Sequence, residues 1–283
     1  MLIRSIYSNG VVVYQSPGLL EMGVKHAFST RIGGISSPPF DFLNLGNPAG
    51  SDRQDTAANI TENYHRLLAG LNLPAAARAW VQQVHGCGVA VLDEPSGGQP
   101  HSPGDTVAPE IPPEFQGALA ADAIICCRPN VVATIRIADC VPILLAADHG
   151  RVVAAVHAGW RGVAANIVSH TIRRLNQMGI KPVEVTAAIG PAIGPDFFMV
   201  NRDVTTALLQ ADLARAVIHH PGRQDCVDLK LAVQLQLQRC GVLRVDCGDY
   251  CTYRNAAEFF SHRRDRGLTG RMAAVIASRN THC

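Results

Sequence analysis

The sequence predicts an α+β fold with mixed sheets, and three observations carry that prediction. Of its 283 residues, 47% are hydrophobic and 17% charged, which is globular composition rather than that of a disordered or fibrous chain. Four β-branched-rich runs lie close together in the middle of the chain, each bounded by turn residues. Helical patterns flank them without strict strand–helix alternation, which argues against a doubly wound sheet.

The elements follow in order. Val11–Tyr14 and His26–Thr30 read as short strands, the second entering the Gly33-Gly34 turn. Residues 31–48 are rich in Gly, Ser, Pro and Asn and read as a long ordered loop of the kind that carries function. Asp52–Leu71 has the polar start and spaced apolar positions Ala58, Tyr64, Leu67 and Leu68 of an amphipathic helix. Trp80–Val84 and Val89–Leu92 are strand-like, and Pro95–Pro113 reads as a surface loop because strands resume on both sides. Ala123–Cys127, Val131–Ile137, Val141–Ala147 and Val152–His157 read as central strands of one sheet. Val163–Met178 reads as a helix stopped by Gly179, and Val183–Ile189 as a strand. Helices are expected at Asp203–Leu213 and Leu229–Cys240, and late strands at Val242–Asp246 and Met272–Ala277.

Charge and cysteine content narrow the function. Twenty-five basic and 23 acidic residues leave a formal charge of +2, too small an excess for a nucleic-acid footprint. The N-terminal residues lack the basic and apolar stretches of a signal peptide, and no window resembles a membrane span. Nine cysteines, an odd number scattered through a chain of this length, argue for reduced thiols in a cytoplasmic protein rather than a disulfide scaffold.

Three segments place a metal-type ligand at a strand end beside small or turn-forming residues: Gln82-Gln83-Val84-His85-Gly86, Ala138-Asp139-Cys140-Val141-Pro142 and Val156-His157-Ala158-Gly159-Trp160-Arg161-Gly162. Imidazole and thiolate together suit zinc, with copper as the alternative. Three protein ligands leave a fourth position open, as in catalytic rather than structural zinc. The separations of 55 and 17 residues match no local metal motif. Spacing therefore leaves a second reading open, of two ordinary hydrogen-bonded histidines and a buried core thiol. If His85, Cys140 and His157 bind metal, Asp139 is the expected carboxylate behind a ligating histidine, or else a turn cap. Trp160 reads as a stacking surface or as packing, and Arg161 as an anion donor or a structural one.

Taken together, the motifs resemble the laccase-domain, or multicopper polyphenol oxidase, family, whose bacterial members include purine nucleoside phosphorylases. The matching text is Phe28-Ser29-Thr30-Arg31 with Gly33-Gly34, Leu43-Asn44-Leu45-Gly46, Gln83-Val84-His85-Gly86, Ala138-Asp139-Cys140-Val141-Pro142 and His157-Ala158-Gly159-Trp160-Arg161-Gly162. It continues with Ile189-Gly190-Pro191, Cys251-Thr252-Tyr253, Phe259–Asp265 and Thr269-Gly270-Arg271. These run in the family's order from about residue 26 to 275; His262 stands where the family commonly has Tyr. The resemblance implies one catalytic domain over 1–283, a layered α/β/β/α sandwich, and zinc ligands at His85, Cys140 and His157.

It also implies phosphorolysis of adenosine, inosine, guanosine and methylthioadenosine, with deamination of adenosine. Purine nucleosides and inorganic phosphate are then the expected partners. Arg31, Arg161 and Arg263 are the expected cationic donors for phosphate. Asn44 and Ser29 are expected at ribose or phosphate hydroxyls. The family name also suggests copper-dependent phenol oxidation, but the sequence shows no paired His-x-His motifs, and His219-His220 lies outside every matching segment. A second enzymatic reading is a cysteine hydrolase of the peptidoglycan-editing kind, with Cys140 as nucleophile and His157 as base. Cys251 is the other candidate thiol. A non-enzymatic metal- or partner-binding protein is the third reading.

Overall fold

The computed structural model describes residues 1–92 and 111–279. Most of the expected Pro95–Pro113 loop and the tail from Asn280 onward lie outside the described residues. In chain order the elements are β1 (Ile3–Ile6), β2 (Val12–Gln15), α1 (Pro17–Glu21), β3 (His26–Ser29), α2 (Ala57–Gly70), β4 (Ala77–Gln82) and β5 (Val89–Leu92). They continue with β6 (Gln116–Ala120), β7 (Ala123–Cys126), β8 (Val131–Ile137), β9 (Val141–Ala147), β10 (Val152–Ala158), α3 (Trp160–Ala164) and α4 (Ile167–Gln177). Last come β11 (Thr186–Ile189), β12 (Met199–Val200), α5 (Arg202–Gln210), β13 (Val217–Ile218), β14 (Asp225–Val227), α6 (Leu229–Arg239), β15 (Arg244–Cys247) and β16 (Met272–Ala277).

The strands form a seven-stranded sheet, β1-β2-β3-β16-β8-β4-β6, a six-stranded sheet, β15-β11-β9-β10-β7-β5, and a small β12-β14-β13 sheet. Both large sheets are mixed: β9 and β10 pair antiparallel, whereas β5 pairs parallel with β7 and β4 parallel with β8. The four central runs do not share one sheet as expected. β8 belongs to the seven-stranded sheet, and β7, β9 and β10 to the six-stranded one. All four are almost wholly apolar on both faces, so composition carries no label of which sheet a strand joins.

Alternation along the strands builds three cores. Ile143 and Leu145 of β9 face α4 and α6, where they meet Ile172, Leu175, Val233 and Leu237. Leu144 and Ala146 face the other way and meet Phe28, Ile135, Met272 and Ala274 of the seven-stranded sheet. The far side of that sheet packs Val13, Val132 and Val275 against Tyr64, Leu67 and Leu68 of α2. The result is the layered α/β/β/α sandwich. All these side chains are under 10% exposed, and each large one contributes roughly 1.5–3 kcal/mol by leaving water.

The predicted helix Val163–Met178 is interrupted. Asn166 takes φ 60° between α3 and α4. The buried Gln236 of α6 donates Nε2 to Val163 O at 2.7 Å and to Asn166 Oδ1 at 3.0 Å. A distant side chain thus satisfies the carbonyl that the next helical turn would have used. Helix α2 starts five residues later than Asp52, at the Thr56 cap, whose hydroxyl accepts from Asn59 N. Pro182 and Glu184 turn the start of the expected Val183–Ile189 strand into a 3₁₀ turn, closed by Lys181 N donating to Glu184 Oε2. Cys87, Cys140, Cys226, Cys240, Cys247 and Cys251 are free thiols, and no helix among the described residues is long and apolar enough to cross a membrane.

Candidate metal centre

Three strand ends converge on one point. His85 lies just beyond β4, Cys140 immediately precedes β9, and His157 is the penultimate residue of β10. The β9–β10 register pairs His157 with Pro142 and Ala158 with Val141, which places Cys140 beside the end of β10. The donor atoms of His85, Cys140 and His157 all lie within 4.8 Å of one another, and they are the one such group among the described residues. The two imidazoles meet edge to face, with centroids 4.9 Å apart. His157 is buried, Cys140 partly exposed and His85 exposed, so the cluster opens to solvent on the His85 side. One thiolate and two imidazoles within this distance suit a borderline-soft metal bound about 2.0–2.3 Å from each donor.

Asp122, fully buried just before β7, organises the cluster. Its carboxylate accepts from His157 Nδ1 at 2.8 Å, His85 N at 3.0 Å, Gly86 N at 2.6 Å and Val84 N at 3.3 Å. Its own carbonyl accepts from His157 N at 2.7 Å. The bond to Nδ1 leaves Nε2 of His157 facing the thiol, as a carboxylate behind a ligating histidine does. The same carboxylate holds His85 at φ 60°, a left-handed conformation that costs a non-glycine residue roughly 1–2 kcal/mol. The carboxylate behind the histidine is therefore Asp122 and not Asp139. Both Asp139 oxygens are taken, Oδ1 by Thr252 Oγ1 at 2.6 Å and Oδ2 by Arg263 N at 2.7 Å. The sequence signal for Asp122 was a single acid at the head of an entirely apolar strand.

Electrostatics follow the geometry. Burial alone would raise the Cys140 thiol, but the facing His157 and then His85 outweigh it and bring it down to about 6. Burial alone would lower His157, but Cys140 and Asp122 push it up to about 9. Burial opposes ionisation of Asp122 too, and its bonds to His157 and to backbone amides still hold it below the usual carboxylate range. Without metal the preferred state is a thiolate–imidazolium pair backed by a carboxylate. Gly159 keeps the centre open: a Cβ there would lie 3.0 Å from His85 Cδ2 and 3.1 Å from Cys140 Sγ.

The expected substrate residues divide. Ser29 is buried in β3 and its hydroxyl accepts from Ala273 N. Asn44 is fully buried; it donates to Asp55 and its carbonyl oxygen accepts from Gly46 N and Arg271 N. Arg31 donates to Asp41 O and Ala256 O, pairs with the Asp41 carboxylate at 3.0 Å and covers the Phe260 ring. The polar groups of these three all have partners inside the fold. Arg161 and Arg263 instead line an open groove of about 390 Å³ with Trp160, Phe198, Asn201 and Gln224. The groove adjoins the centre, since Trp160 follows Gly159 and Arg263 N is bonded to the neighbour of Cys140. His219 and His220 bond Asp225 away from the cluster, and Cys251 is a buried acceptor for Gly194 N and Arg254 N.

Two arginines with no expected role also flank the centre. Arg136 lies at the end of β8, and its main chain is clasped by Gln83, which accepts from Arg136 N at 2.8 Å and donates to Arg136 O at 2.7 Å. Arg271 immediately precedes β16, the strand paired with β8. Burial, and then the like charge of Arg136, lower Arg271, while Cys140 and Asp139 pull the other way. A strand-borne Arg within an apolar run was the available signal for Arg136.

Comparison with known proteins identifies the architecture. Residues 25–279 match the family described as multi-copper polyphenol oxidoreductase laccase. The chain is 38% identical over 268 residues to purine nucleoside phosphorylase YfiH of Shigella flexneri, covering 94% of this chain and 98% of that one. It is 34% identical over 267 residues to a purine nucleoside phosphorylase of Deinococcus radiodurans, covering 94% and 93%. The crystal structure of YlmD from Geobacillus stearothermophilus superposes with a TM-score of 0.81 at 29% identity, covering 99% of this chain and all of that one. The chain therefore belongs to the laccase-like polyphenol oxidoreductase family, whose YfiH-type relatives carry the phosphorylase name.

Proposed function

We propose that this family member is a zinc-dependent purine nucleoside phosphorylase that also deaminates adenosine. The observation that supports it most is the open His85–Cys140–His157 cluster beside the Trp160–Phe198 groove. The names of the YfiH relatives supply the substrate class. His85, Cys140 and His157 would hold the metal. When bound, zinc supplies Lewis acidity, lowering the pKa of a water to about 7 as adenosine deamination requires. Asp122 fixes the ring of His157 and the backbone at His85. Trp160 and Phe198 offer aromatic surface for a purine, and Arg161 and Arg263 offer donors at its edge. In phosphorolysis a phosphate oxygen bonds to C1′ as the C1′–N9 bond breaks, and the base leaves with the bonding pair and takes up a proton. The single donor cluster among the described residues favours this reading over multicopper phenol oxidation, which needs several copper sites.

The test is incubation of purified protein with adenosine, with and without phosphate. Adenine plus ribose-1-phosphate, inosine, and close to one zinc per chain are expected. Fully active metal-free protein, or no turnover of any purine nucleoside, overturns the reading.

One observation favours a second reading, a cysteine hydrolase or amidase. Cys140, His157 and Asp122 align as nucleophile, base and orienting carboxylate, and the thiol is lowered to about 6. Activity on a peptide or amide that survives chelation and is lost on thiol alkylation would select it.

A further inference from the structure

The Leu43–Gly46 and Thr269–Arg271 motifs, together with Gln83, converge on Arg136 and Arg271. Gln83 clasps the main chain of Arg136 from both sides. Gly46 leaves room for its stem: a Cβ there would lie 2.7 Å from Arg136 Cδ. Asn44 Oδ1 accepts from Arg271 N at 2.9 Å, and Leu45 N donates to Arg271 O at 2.8 Å. Gly270 leaves room for that contact, since a Cβ there would fall 2.8 Å from Asn44 Oδ1. The Leu43–Gly46 segment is thus a bracket that touches both arginines. Paired strands β8 and β16 carry them to the edge where Asp139 and Cys140 begin.

This is an unfavourable arrangement without a ligand. Both arginines are partly buried and close enough to repel. Among the described residues neither guanidinium forms an ion pair with a carboxylate, although eleven other basic side chains do. Arg271 Nη1 donates to the carbonyls of Thr269 and Gly270, and the nearby acid, Asp139, is consumed by Thr252 and Arg263 N. Two planar forks whose main chains are clasped, with no carboxylate ion pair among the described residues, match a tetrahedral dianion.

We infer that Arg136 and Arg271 form an oxyanion site beside the metal cluster that takes inorganic phosphate, with Asn44 and Gln83 as positioning residues. The inference rests on the phosphorylase reading for the identity of the anion. It moves phosphate from the groove arginines to the strand arginines, and leaves Arg161 and Arg263 to the nucleoside.

The experiment is calorimetric titration of inorganic phosphate into the metal-loaded protein. Wild type should bind, and Arg136→Met and Arg271→Met should each weaken binding about tenfold or more, the cost of one charge-assisted contact. Arg136→Lys and Arg271→Lys, which keep the charge and lose the fork, should fall in between and serve where a methionine variant does not fold. Arg4→Met, an exposed arginine paired with Glu258, should bind phosphate as wild type does. Absence of phosphate binding, equal binding in the folded Arg136 and Arg271 variants, or equal weakening by Arg4→Met overturns the site. A peptide with a free C-terminal carboxylate is the second titrant, and its capture in preference to phosphate also overturns the assignment. Phosphate binding that depends on both arginines, without cleavage of any purine nucleoside, supports the site and removes the phosphorylase reading. Nucleoside cleavage with an unchanged phosphate KM in both methionine variants supports that reading and removes the site.

Discussion

His26 and His157 are both buried histidines on strands of the two large sheets, and they do opposite things. His26 Nδ1 donates to Val24 O and its Nε2 accepts from Ser16 N. Both ring nitrogens are spent, and burial drives the group down to about 4. His157 spends Nδ1 on Asp122 and has Nε2 left for Cys140, and it is pushed up to about 9. A carboxylate on one nitrogen and a thiol facing the other turn a packing histidine into a reactive one. The difference lies in what the neighbours leave unsatisfied, not in burial, which the two share.

Removing the carboxylate should have the largest effect. Asp122→Asn replaces an acceptor for four donors with a group that accepts at one oxygen only. Metal affinity is expected to fall about 10–100-fold, read by chelator competition, with a stability loss of about 3–5 kcal/mol in denaturant melts. Wild-type metal retention would show that Asp122 does not organise the cluster.

The pH dependence of stability separates the two histidines. The folded His26 binds its proton only near pH 4, the unfolded one near 6.5. Its contribution is complete above pH 6.5 and is lost as pH falls toward 4, by roughly 3 kcal/mol. Cys140 and His157 shift in opposite directions, so the proton count of that pair changes little on unfolding between pH 6.5 and 9. Melting temperatures of metal-free protein should therefore drop between pH 6.5 and 4, and a His26→Gln variant should lose that slope. A slope retained in His26→Gln would assign it elsewhere.

Smaller effects follow. Gly159→Ala should displace His85 and Cys140 and lower metal content several-fold while changing stability by about 1 kcal/mol, because its Cβ meets side chains rather than backbone. Metal content equal to wild type would refute the crowding argument. In chelated protein, iodoacetamide should label Cys140 with a midpoint near pH 6, well before Cys247, whose burial raises it. Zinc should protect Cys140; labelling that follows an ordinary thiol curve would refute the thiolate–imidazolium state.

Much of the fold is legible in the amino-acid sequence. β5, β8, β9 and β16 have the expected bounds, because each is an apolar run framed by turn residues. β1, β6, β12, β13, β14 and α1, which the sequence did not suggest, carry too few residues for a period to register. His85, Cys140 and His157 stand out because each sits in a small-residue context at a strand end, yet their spacing does not separate ligands from core residues.

By itself the sequence determined the α+β class, the apolar strands and the three donor side chains, since these depend on local composition and period. Tertiary structure decided which sheet each strand joined, where the helix after Gly159 broke, and which acid stood behind His157. It also decided that Ser29, Arg31 and Asn44 bond within the scaffold, and that Arg136 and Arg271 lie close together beside the centre. These outcomes depend on which distant group satisfies a buried donor or charge. Asp122 and His157 are 35 residues apart, and only the pairing of β7 with β10 makes them neighbours.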